Sequence, residues 1–195
     1  MSPPPDDERL LEAAAGGDAE AFVEIYRRHH PRVFRFAFRM TGSPEAAEDI
    51  THASFTGLLE SPGRFRGEAA LGTYLCAVAR NQCLKRIRRV RREVLGGEPP
   101  ARADRAPGPL SRLLKDEEAR LVRDAVLSLA PLHREVVILA EFEGLELAAI
   151  ASIVHAEVGA VKVRLHRARK KLRQRLEAYV KGNGVPAVAV LETRK

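Results

Sequence analysis

Lys162, Arg164, Arg167, Arg169, Lys170, Lys171, Arg173 and Arg175 fall within a stretch of 14 residues that contains no acid. Closely spaced fixed cations neutralise phosphates, and each contact releases condensed counterions, giving affinity that salt erodes. A surface helix kept for stability mixes its signs, because i,i+4 acid–base pairs support it and like charges cost it. Eight like charges therefore point to an anionic partner. A second basic cluster, Arg80, Lys85, Arg86, Arg88, Arg89, Arg91 and Arg92, follows a loop carrying Phe65, Arg66 and Gly67. An aromatic among Arg and Gly suits stacking on an unpaired base. It is equally a candidate plug into the core. Glu45, Glu48 and Asp49 form an acidic patch in a chain whose net charge is +7.

Catalytic chemistry finds no support. The glycine pairs at 16–17 and 96–97 belong to a turn and a linker rather than a phosphate loop. The six histidines are scattered, and no Cys/His cluster has metal-ligand spacing. No enzyme activity, metal or cofactor is expected. Cys76 and Cys83 are the only cysteines. Seven residues apart on a helix, their Cα atoms lie about 10 Å apart. A disulfide needs less than about 7 Å, so two buried thiols are expected.

The elements that must position these groups are helical. Val158, Val161, Leu165, Ala168, Leu172, Leu176 and Tyr179 step by threes and fours along one face of a helix over 158–179. Before it, Leu145–Val154 reads as a short helix and His155–Glu157 as a tight turn. Two helices so joined, the second basic, make a helix-turn-helix. Base edges are read near the start of such a second helix, here Lys162, Val163, His166 and Arg167. Lys and Arg suit guanine edges, and Val163 suits a thymine methyl.

Upstream, residues 1–5 read as a disordered tail and 6–15 as a first helix. A second is expected over 19–29, then a separate third opened by Pro31 and running to Met40. Ser43-Pro44-Glu45 is a strong helix start: hydroxyl cap, proline, then acid. That helix runs to about Leu59, with Ala47, Ile50, Ser54 or Phe55, and Leu58 inward. The basic helix after the loop spans 73–92. Residues 93–113, rich in Pro and Gly, read as a flexible linker. Helices over 113–129 and 131–143 precede the helix-turn-helix, and 180–195 form a tail. The expectation is an all-α chain of two small helical domains, 6–92 and 114–179. No apolar run approaches the roughly 18 residues that span a bilayer, so no membrane insertion is expected. The N-terminus has neither the basic nor the apolar region of a secretory signal, which implies a cytoplasmic location.

The chain resembles the extracytoplasmic-function sigma factors, the smallest group of the sigma-70 family. The matching stretches are IYRRHHPRVFRFAFRMTGSPEAAEDIT, FRGEAALGTYLCAVARN, LAPLHREVVILAEFEGLELAAIASIV and VGAVKVRLHRARKKLR. They cover about residues 9–92 and 115–178. The resemblance implies a sigma-2-like domain, a linker and a sigma-4-like domain. It implies binding to core RNA polymerase, at the beta-prime clamp and the beta flap, and to promoter DNA. An anti-sigma factor is an implied partner. Lys162, Val163, Arg164, His166, Arg167 and Lys170 would read the −35 element. Phe65, Arg66, Gly67, Arg80, Asn81 and Lys85 would melt and read the −10 element. Glu48, Asp49 and Phe55 would dock on polymerase.

The chain departs from the family pattern at several positions. His52-Ala53 stand where Gln-Glu is usual, Tyr74 where Trp is, and Lys85 where Asp or Asn is common. His155 takes a place usually given to Gly, where φ is often positive, and Ala160 and Val163 replace Thr and Ser. Two alternatives stay open: a helix-turn-helix regulator that binds duplex DNA without polymerase, and a sigma-like interaction protein held by an anti-sigma factor.

Overall fold

In a computed structural model, residues 6–96 and 110–183 are described. All regular structure among them is helical. They form two compact units, divided between Leu95 and Gly96. The first contains α1 (Asp7–Ala15), α2 (Ala19–Thr41), α3 (Pro44–Glu60) and α4 (Leu71–Gly96). The second contains α5 (Leu110–Leu127), α6 (Pro131–Val137), α7 (Leu147–Val154) and α8 (Val158–Asn183). No helix among the described residues is long and apolar enough to cross a membrane.

Pro31 does not divide two helices; α2 passes through it without interruption. An interior proline costs a helix about 3 kcal/mol through a lost hydrogen bond and a ring clash. Burial on both sides outweighs that cost. Ile25 lies before the proline, and Val33, Phe36, Ala37 and Met40 after it, all fully buried. A ladder of half-buried rings also crosses it at i,i+4 spacing. Tyr26 and His30 are 4.8 Å apart, His30 and Phe34 5.9 Å, and Phe34 and Phe38 6.2 Å between centroids.

The caps are local. Asp18 accepts from the amides of Glu20 and Ala21 at 2.9 and 3.1 Å. Ser43 accepts from Ala46 N at 3.1 Å, with Pro44 at the first helical position. Both Ser54 and Phe55 turn inward. The Ser54 hydroxyl returns to Ile50 O at 2.7 Å, which satisfies its burial. Cys76 and Cys83 are buried and are not joined in a disulfide.

The boundaries near the linker differ from expectation. Helix α4 continues to Gly96 and α5 begins at Leu110, both within the stretch expected to be linker. Helix α8 continues to Asn183, into the expected tail. Residues 97–109 and 184–195, and the tail at 1–5, lie outside the described residues.

In the second unit, Val136, Val137, Ile138 and Leu139 meet Ile150, Val161, Leu165 and Ala168 in the core. The end of the helix expected over 131–143 widens. Glu143 N donates to Ile138 O at 3.0 Å, an i to i+5 bond, and Leu145 N to Leu139 O at 3.0 Å. Gly144 then turns the chain with a positive φ.

Candidate nucleic-acid interface

The turn between α7 and α8 is built on His155, which has φ 51° and ψ 55°. Its position closes α7, with Ala156 N donating to Ala151 O at 3.0 Å. The left-handed conformation expected there is present, on a residue with a Cβ. Helix α8 follows with Val161, Leu165, Ala168 and Leu172 buried. Val158, counted among its inward residues from the sequence, is instead 47% exposed.

Lys162, Val163, His166, Arg167 and Lys170 are exposed. Their spacing of one, four, five and eight residues puts them on one side of α8. Val163, at 48% exposure, is an apolar group held open to solvent among cations. Arg164 departs from this set. It is half-buried, and its Nη1 lies 4.0 Å from the carboxylate of Glu135, which is fully buried on α6. A buried carboxylate needs compensating charge or hydrogen bonds. The Arg164 guanidinium therefore serves the joint between α6 and α8. Arg169 is held similarly, 2.6 Å from Glu141 in the widened turn.

Arg134 tucks beneath α5, its Nη2 donating to the carbonyls of Leu127 and Leu129. His133 is pushed below the usual imidazole range. Burial is the main cause, followed by Lys171, Arg167 and Arg164. These fixings were missed from the sequence. Glu135 and Glu141 lie in a stretch read only for its apolar period, and their partners are 28 or 29 residues away.

In the first unit, the segment between α3 and α4 begins with one tight turn, Pro62–Arg64. Phe65 follows, half-buried, its ring 5.4 Å from that of Tyr74 and edge-on at 65°. It is neither a core plug nor free. Tyr74, Asn81 and Lys85 are seven and four residues apart, so they share one face of α4, with Phe65 at its N-terminal end. Arg66, Gly67, Asn81 and Lys85 are exposed.

Arg80 is a correction. Expected on the exposed basic side, it is 7% exposed and donates to Asn81 Oδ1 at 3.0 Å. It orients Asn81 rather than facing solvent. Phe55 is a second correction. Expected at a docking surface, it is 1% exposed and packs 4.7 Å from Tyr26 and 6.5 Å from Phe22. Glu48, Asp49 and His52, by contrast, are exposed on α3. Those three, with Ala53, Thr56 and Glu60, line a shallow surface concavity. His30 reaches Glu48 at 3.3 Å, and Arg86 lies 3.9 Å from Asp49.

Comparison with known proteins agrees with this layout. Residues 25–93 match sigma-70 region 2, and residues 119–172 match sigma-70 region 4. The RNA polymerase sigma factor CarQ of Myxococcus xanthus is 31% identical over 169 residues, covering 85% of this chain and 95% of CarQ. The ECF RNA polymerase sigma factor SigM of Mycobacterium tuberculosis is 30% identical over 170 residues, covering 87% and 84%. Among solved structures, the sigma factor RpoE of Bartonella quintana, in complex with the anti-sigma factor NepR, superposes with a TM-score of 0.67. It is 22% identical, and the match covers 82% of this chain and 98% of RpoE. CnrH, in complex with the cytosolic domain of CnrY, gives 0.66 at 22% identity, covering 88% and 97%. These two likenesses show the fold. Sequence identity and the two matched regions show that the chain belongs to the extracytoplasmic-function sigma factors of the sigma-70 family.

Proposed function

We propose that the chain binds core RNA polymerase and directs it to promoters, reading the −35 element with α8 and capturing an unpaired base of the −10 element with the loop and α4. The observation that carries this reading is the presence of two exposed cationic surfaces with different chemistry. One is a helix face, Lys162, Val163, His166, Arg167 and Lys170, with no Phe, Tyr or Trp, suited to a duplex groove. The other sets an aromatic ring beside a basic helix, suited to a single strand. A plain duplex-binding regulator needs only the first.

The energetics divide accordingly. Opening duplex DNA costs about 1.4 kcal/mol per stacked step. Stacking one base on an aromatic group returns about 1–3 kcal/mol, so capture offsets one or two steps. Lys162, Arg167 and Lys170 are the candidates for guanine edges and phosphates, and Val163 for a thymine methyl. Arg164 supports the helix from behind. Asn81 and Lys85 flank the captured base, and Arg80 holds the Asn81 amide in place.

Glu48, Asp49 and the concavity beside them form the proposed docking surface for the polymerase beta-prime clamp, with the second unit on the beta flap. His52 and Ala53 line that concavity in place of the usual Gln-Glu, so docking there uses fewer carboxylates. An anti-sigma factor is a further proposed partner, supported by the complexes that RpoE and CnrH form. Polymerase binding places the chain in the cytoplasm. The test is co-elution of the chain with purified core polymerase. A one-to-one complex is expected, and Glu48→Lys with Asp49→Lys should abolish it. Failure of the wild-type chain to co-elute overturns the reading.

A further inference from the structure

We propose that α1 is a strut that fixes the shape of the base-capture loop, with Asp7 as a positioning residue acting through His29. This rests on the reading of Phe65–Lys85 as the single-strand site.

Helix α1 precedes the stretch that matches sigma-70 region 2, which begins at residue 25. It is nevertheless tied to the loop region at two points. Leu10 and Leu11 bury its inner face. Asp7, at its first turn, spans 21 and 22 residues of sequence to reach α2. Its Oδ2 meets His29 Nε2 at 2.8 Å, and its Oδ1 accepts from Arg28 Nη1 at 3.3 Å. The other side of the His29 ring lies against Gly72, at the start of α4. A Cβ on Gly72 would come within 3.0 Å of His29 Nδ1 and 2.9 Å of Arg32 Nη1. The imidazole is thus wedged between Asp7 and the backbone where the loop enters α4.

The second point is Gly67, in the loop itself, with φ +70°. A Cβ there would approach Glu8 Oε1 to 2.7 Å, so the loop runs close against the neighbour of Asp7. The loop is fixed at its start by Phe65 N donating to Pro62 O at 3.0 Å, and at its end by Thr73 N donating to Ala70 O at 2.8 Å. Helix α1 meets the part between. Phe65, two residues before Gly67, must hold one position against Tyr74 to present its ring. Movement of the backbone at 67–72 moves that ring. Side-chain contacts in such packed networks modulate remote binding without touching the ligand.

The test uses holoenzyme formed from the full chain and core polymerase. The probe is a fluorescent single-stranded oligonucleotide carrying the −10 element of a promoter that the wild-type holoenzyme transcribes. Asp7→Ala should weaken oligonucleotide binding about three- to tenfold. Asp7→Asn keeps an oxygen to accept from His29 and should retain most of the affinity. Glu24→Ala removes ion pairs with Arg27 and Arg28, a partner of Asp7, but removes no group of the Asp7–His29 contact, and should leave affinity unchanged. Amide exchange at Thr73 and Tyr74, whose N–H groups donate to Ala70 O, should rise in the free chain in Asp7→Ala alone. Wild-type binding and exchange by Asp7→Ala, or an equal loss in Glu24→Ala, would overturn the strut. If wild-type holoenzyme transcribes but does not bind the oligonucleotide, the single-strand reading of the loop falls instead. The exchange measurement then judges the strut by itself.

Discussion

Replacing His155 by glycine should stabilise the second unit. His155 occupies the left-handed region at φ 51°, ψ 55°. That conformation costs an L-residue roughly 1–2 kcal/mol, and histidine, which visits it more often than most, belongs at the lower end. Glycine carries no such penalty but loses about 0.5–1 kcal/mol more chain entropy on folding. The His155 side chain is exposed, so little packing is lost with it. The net expectation is a gain of up to about 0.5 kcal/mol from His155→Gly. Native-state amide exchange at Ile150, Val161 and Leu165, all buried in this unit, reads that gain directly. Protection should rise by up to about twofold in the full-length chain. His155→Val, which adds β-branching at the same φ, should move protection the other way. If His155→Gly exchanges faster than wild type, the turn is not strained by its side chain, and the account of how α7 leads into α8 is wrong.

Other perturbations separate the remaining roles. Phe55→Ala should cost the first unit about 3–5 kcal/mol in urea unfolding, the usual loss for a buried ring; a cost under 1 kcal/mol would return Phe55 to the surface. Glu24 is held down to about 2 by hydrogen bonds from Arg27 and then Arg28. Its folded value lies below its unfolded one, so its stabilisation is full above about pH 4.5 and fades as pH falls towards 2. The stability gap between wild type and Glu24→Gln should therefore be constant above pH 4.5 and close by pH 2, and a gap unchanged across that range would contradict the pairing. Lys162→Ala should weaken upstream duplex binding and reduce its salt slope by about 0.9, while Phe65→Ala should slow permanganate-detected opening more than closed-complex formation. Equal effects of both variants on both steps would remove the division of labour.

What the sequence made legible follows from local physics. Caps at Asp18 and Ser43, the period of α8 and the αL turn at His155 depend on neighbours within a few residues, and all are readable. Pro31 misled because its cost is local whereas the burial that overrides it, Val33 to Met40, comes from other helices. The candidate surfaces were half legible. Exposed cations at 162, 167 and 170 follow from periodicity, but a charge on a helix face does not reveal whether a partner waits behind it. Arg164 and Arg169 find acids on α6 and the widened turn, and Arg80 finds Asn81. Phe55 was placed both in the core and at the docking surface; only packing against Tyr26 and Phe22 decides between them.

Run-off transcription with purified core polymerase tests the central claim most directly. Template fragments from a random upstream library are transcribed with core alone and with core plus the chain. The account predicts that the chain confers initiation on a discrete subset sharing two short elements. Lys162→Ala should shift which upstream elements are chosen, and Phe65→Ala should reduce initiation on all of them. Transcription unchanged by the chain, or enhanced equally on every template, would contradict the account.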